Sequence, residues 1–79
     1  KDSTWFGNNV VNSGKIISSS VARNSRVGNG TIVENSVILE GVIIGENCSI
    51  RNCLIGNNCI IHDGSSLDGL ILDHGIAVE

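Results

Sequence analysis

The sequence predicts an all-β fold in which short strands coil into a triangular parallel solenoid. Three observations carry the prediction. Aliphatic residues recur in blocks of 17, Gly and Asn recur at fixed places between them, and no segment shows the three-to-four-residue apolar period of an amphipathic helix. Residues 16–66 divide into IISSSVARNSRVGNGTI, VENSVILEGVIIGENCS and IRNCLIGNNCIIHDGSS. On this pattern, residues 1–15 form an irregular N-terminal segment and first partial coil in the same register. Residues 16–66 form three regular coils, and 67–79 a C-terminal partial coil and cap.

Each block contains three aliphatic positions. Ile16, Val33, Ile50 and Leu67 form one column; Val21, Ile38, Ile55 and Leu72 a second; Val10, Val27, Ile44, Ile61 and Val78 a third. The columns are five, six and six residues apart, a hexapeptide rhythm with one residue removed per block. Three short strands rich in Val and Ile, joined by corners, make one coil. Stacked coils then bring like columns above one another at about 4.8 Å, the spacing of hydrogen-bonded strands.

The corners require residues that tolerate positive φ, chiefly Gly and then Asn. Three corner columns meet that demand: Gly7, Asn24, Gly41, Asn58 and Gly75; Ser13, Gly30, Asn47 and Gly64; Ser18, Asn35, Asn52 and Gly69. Only Ser13 and Ser18 depart from it. A small residue mostly follows each corner, as at Ser36 and Cys53, Ser25 and Cys59, or Thr31, Cys48 and Ser65, where the interior is expected to narrow. At the ends, Asp2 and Asn8, then Leu70 and Ile76, break that rule, as terminal coils of solenoids commonly do. Trp5 and Phe6, the only aromatics, fall in the first segment and are expected to cover the open end of the stack, with a partner-binding anchor as the competing reading.

Composition narrows the function classes. A chain of 79 residues is one small domain that buries only about 60% of its unfolded surface, so its independent stability is expected to be marginal. The longest apolar run is three residues, as at Val42 to Ile44, which leaves no transmembrane helix or signal-peptide core. A net charge of −3 without a basic cluster argues against nucleic-acid or anionic-membrane partners. The start at Lys1 and the absence of Met predict a fragment or processed product.

The motifs Ile44-Gly45-Glu46-Asn47-Cys48 and Ile55-Gly56-Asn57-Asn58-Cys59 resemble those of hexapeptide-repeat proteins, whose domains are left-handed parallel β-helices. The left hand comes from that resemblance. The ordinary preference for right-handed crossovers points the other way, and periodicity does not reveal hand. The five-six-six rhythm, with Val33-Glu34-Asn35-Ser36-Val37-Ile38 followed by Gly41-Val42-Ile43-Ile44-Gly45, is similar to the C-terminal domain of sugar-1-phosphate nucleotidylyltransferases, most like the glucose-1-phosphate adenylyltransferases. Similar repeats occur in mannose-1-phosphate guanylyltransferases and in subunits of a translation-factor guanine exchanger. The resemblance implies an N-terminal catalytic domain, missing here, that uses Mg²⁺ to join a sugar 1-phosphate to a nucleotide, and no cofactor in this chain itself. It implies a homo-oligomer to which the helical domain lends contacts and regulation. The alternative is a fragment of a hexapeptide-repeat acyltransferase.

Residues that could carry chemistry are few, and no catalytic, cofactor or metal site is assigned. Gly28-Asn29-Gly30 is the nearest approach to a phosphate-cradling loop, but it falls at a corner where Gly is already needed and no helix follows. Cys48, Cys53 and Cys59 lack the close pairing of a zinc site; they read as buried free thiols and hence as a sign of a cytoplasmic protein. His62 and His74 are the only candidates for an acyltransferase-type general base, and neither has a partner at a spacing that would orient it. Effectors in the resembling family are phosphorylated sugars or nucleotides, so Lys15, Arg23 and Arg26 are the candidate anion contacts, against a reading as solvated surface charge.

Overall fold

The computed structural model describes residues 4–79; Asp2, one of the residues expected to break the small-residue rule, lies outside them. Among the described residues, fourteen strands of two or three residues wind through three parallel sheets. The first sheet stacks β1 (Trp5–Phe6), β4 (Ser20–Val21), β7 (Val37–Ile38), β10 (Leu54–Ile55) and β13 (Ile71–Leu72). The second stacks β2 (Val11–Asn12), β5 (Arg26–Val27), β8 (Ile43–Ile44), β11 (Ile60–Ile61) and β14 (Ala77–Val78). The third stacks β3 (Lys15–Ile17), β6 (Ile32–Glu34), β9 (Ser49–Arg51) and β12 (Ser66–Asp68). Successive strands in the chain never pair with each other; each pairs with the equivalent strand one coil away, which is a β-solenoid of about four coils, consistent with a left-handed parallel β-helix.

Strands this short survive because alternation turns one side chain of each inward while the parallel ladder satisfies its backbone. Val21, Val33, Ile38, Ile50 and Ile55 are completely buried, and Val27, Ile44 and Ile61 nearly so. The registers Val21↔Ile38↔Ile55↔Leu72, Ile16↔Val33↔Ile50↔Leu67 and Val27↔Ile44↔Ile61↔Val78 reproduce the three aliphatic columns from Ile16 onward.

The first coil departs from the predicted register. Trp5 pairs with Ser20, where the block length would set it against Ala22, and Val11 pairs with Arg26 in place of Gly28. Two residues, Ser13 and Gly14, separate β2 from β3, whereas four separate β5 from β6. Asn12, not Val10, therefore lies in register with Val27, and Val10 packs against the core from a partly buried position just after the Asn9 corner. Asn9, with φ 60°, takes the corner place assigned to Gly7, and Ser13 is not a positive-φ corner at all. Ser18 is one, with φ 47°, so it conforms to its column after all. Gly7 is needed for another reason: a Cβ there would lie 2.6 Å from the backbone N of Arg23 in the next coil.

The small residues after the corners do more than fit a narrow space. Ser36 Oγ donates to Glu34 O at 2.9 Å and accepts the Cys53 N–H at 3.1 Å; Ser19 Oγ likewise donates to Ile17 O and accepts the Ser36 N–H. Ser25 Oγ accepts from Val42 N and Thr31 Oγ1 from Cys48 N. Each hydroxyl thus meets a corner amide of the following coil, and no buried side-chain N or O among the described residues lacks a partner.

Candidate functional site

The outer surface is shaped by what each strand turns away from the core. On the first sheet the outward column is Trp5, Ser20, Val37, Leu54 and Ile71; on the second it is Val11, Arg26, Ile43, Ile60 and Ala77. Val37, Leu54, Ile43 and Ile60 are all exposed and Ile71 is 81% exposed, so two of the three faces carry stacked aliphatic side chains in water. Leu39 is half-buried beside the corner. The third face is polar: Glu34 lies in register with Arg51 and pairs with its Nε at 3.5 Å, and Asp68 follows next in the column.

A hollow of about 640 Å³ opens where the first sheet turns toward the second. Trp5 and Phe6 come from β1, and being adjacent in a strand they face opposite sides. Phe6 extends the inward column of Val21, yet at the end of the stack it stays 44% exposed, with Trp5 at 58%. Phe6 thus lies over Val21 at the end of the stack, and both rings stay partly open to water beside the hollow. Gly7 and Ala22 also line it, with Asn8, Arg23 and Glu40 as its polar rim. Arg23 Nε donates to Glu40 Oε2 at 3.2 Å across successive coils.

Stacking fixes the backbone behind this rim. The Glu40 N–H donates to Asn57 Oδ1 at 3.0 Å, and its carbonyl accepts from Asn58 N at 2.8 Å. The Arg23 carbonyl accepts from Gly41 N at 3.2 Å and the Asn8 carbonyl from Asn24 N at 3.0 Å.

The three candidate anion contacts are spread around the solenoid. Lys15 is exposed on the third sheet, Arg26 points outward from the second, and Arg23 sits at the corner paired with Glu40. At Gly28-Asn29-Gly30 the backbone serves the stack: Gly28 N donates to Ile44 O and Asn29 O accepts from Asn47 N.

His62 is exposed at a corner, while its carbonyl accepts from Ser65 Oγ and Cys48 Sγ. His74 has a structural partner that its sequence context does not reveal, since its Nδ1 accepts the Asn57 N–H at 2.8 Å. This repeats one coil later what Asn57 does for Glu40. Cys48, Cys53 and Cys59 are free and buried, each at a different corner, and their thiols donate to His62, Arg51 and Asp73 carbonyls respectively. Among the described residues no group of three His, Cys, Asp or Glu side chains is placed to hold a metal ion.

Residues 1–75 match the profile of the family described as GlmU-like, C-terminal hexapeptide. No curated protein matches the chain.

Proposed function

Because the chain belongs to the GlmU-like, C-terminal hexapeptide family, we propose that it is the β-helix domain of a sugar-1-phosphate nucleotidylyltransferase, most like glucose-1-phosphate adenylyltransferase, and that it holds copies of the enzyme together. The observation that carries this reading is the pair of outward aliphatic columns, Val37–Leu54–Ile71 and Ile43–Ile60, stacked in register on adjoining faces. Contiguous exposed apolar surface on a small domain marks an interaction site, and each square ångström of it removed from water contributes about 25 cal/mol. The nucleotidyl transfer and its Mg²⁺ are assigned to a separate domain. The same family match also accommodates a fragment of a hexapeptide-repeat acyltransferase. That reading needs a histidine base, and in His74 the Nδ1 lone pair is already committed to Asn57.

Sedimentation analysis of the chain and of Leu54→Lys tests the assembly role. The unaltered chain is expected to form reversible oligomers at micromolar concentration. Leu54→Lys, on an outward position already 39% exposed, is expected to keep the β circular dichroism and sediment as a monomer. A strictly monomeric unaltered chain would remove the assembly role.

A further inference from the structure

We infer that the hollow beside Trp5 and Phe6 is a binding site for a neutral saccharide, with a sugar ring lying on the exposed aromatic surface and its hydroxyls meeting Arg23 and Glu40. The inference is independent of the assembly role, which rests on the aliphatic columns. The chain contains one Trp, one Phe and no Tyr, and both aromatics line this one hollow. They lie about half in water, at 58% and 44% exposure, where they contribute little to the core. Aromatic surface left open beside a depression that also carries polar groups is a common composition of a small-molecule site.

The rim selects the ligand class. Arg23 and Glu40 compensate each other's charge at 3.2 Å, so a phosphate or carboxylate would have to compete with Glu40 for the guanidinium and would meet a like-charged oxygen. A hydroxyl both donates and accepts, and adjacent hydroxyls of a sugar can take a guanidinium N–H and offer a proton to the carboxylate while the ion pair stays intact. The guanidinium keeps further N–H donors beyond the Nε that meets Glu40. A pyranose ring also has an apolar C–H face that covers an aromatic ring. The site is held in shape before any ligand arrives, because the Glu40 backbone is bonded on both sides to Asn57 and Asn58. Gly7 lets the backbone at the hollow lie close against Ala22 and Arg23 of the next coil, where a Cβ would meet the Arg23 N at 2.6 Å.

Trp5 is the sole tryptophan, so its fluorescence reports on this site alone. The 79-residue chain is titrated with methyl glucoside, methyl mannoside, N-acetylglucosamine and maltotriose, and separately with inorganic phosphate and adenosine. At least one sugar is expected to give a saturable change. By saturation-transfer NMR, Trp5→Ala and Arg23→Ala are expected to weaken that sugar's binding by about tenfold or more with unchanged circular dichroism. Three results would overturn the assignment: no saturable response to any of the four sugars, saturation by phosphate or adenosine alone, or sugar binding that both substitutions leave unaltered.

Discussion

Replacing Ile44 by Asp is expected to unfold the chain. Ile44 is 2% exposed in the middle of the second sheet, with Val27 in register on one side and Ile61 on the other. A carboxylate there would be surrounded by aliphatic side chains with no cation or donor to meet it, at a cost of several kcal/mol. A domain of this length sits at the low end of the roughly 5–15 kcal/mol range of folded stability, so that loss consumes most of what it has. Ile44→Val separates charge from volume, since it removes one methylene and should cost only about 0.5–1.5 kcal/mol. Circular dichroism and thermal melting of the two variants check the pair. A folded Ile44→Asp chain with an unchanged melting temperature would mean that the column does not face inward.

Gly41→Val is expected to cost far more than Glu40→Val, although the residues are adjacent. Gly41 has φ +68°, where a β-branched side chain is strained by about 1–3 kcal/mol. A Cβ there would also press on Asn58 Oδ1 in the next coil, but that is the end of a side chain and can move, so backbone strain is the main term. Glu40 gives up only its ion pair with Arg23, between side chains that are 51% and 63% exposed, and such pairs contribute about 0.2–1 kcal/mol. Denaturant midpoints at constant slope compare the two directly. Equal losses would place the corner elsewhere.

Most of the architecture was legible in the sequence because a solenoid repeats the same physical demand at each turn. The inward columns from Ile16 to Val78 and the positive-φ corners at Asn24, Gly41 and Asn58 follow from periodicity and Gly/Asn chemistry alone. The first coil misled for a specific reason. Val10 lies one full block before Val27 and is apolar, so it continued the column on paper while a corner two residues shorter moved Asn12 into that place. The signal that could have exposed the shift is Asn9, which precedes Val10 as Asn24 precedes Ser25, both with positive φ.

Sites were less legible than the fold. Lys15, Arg23 and Arg26 are near in sequence, but corners turn the chain between them and send their side chains to different parts of the surface. The hollow depends on the contact between Arg23 and Glu40 of successive coils, combined with the shortened first coil that sets Gly7 and Asn8 against Ala22 and Arg23. The 17-residue block sets Arg23 beside Glu40, but the approach of Gly7 and Asn8 was hidden until the register of the first coil was known. The acceptor roles of Ser19, Ser36 and Thr31 were missed for another reason: the small residues read as space-fillers, although their amide partners lie one 17-residue block away.

The columns, the corners, the outward faces and the hollow all rest on how successive coils are aligned, and interstrand NMR cross-peaks measure that alignment directly. The structure predicts backbone cross-peaks between Phe6 and Val21 and between Asn12 and Val27 in the first turn, then between Val27 and Ile44 and between Ile44 and Ile61 beyond it. Strand-pairing cross-peaks between Val10 and Val27, or an absence of the Val27–Ile44 and Ile44–Ile61 contacts in the later coils, would contradict the stacking.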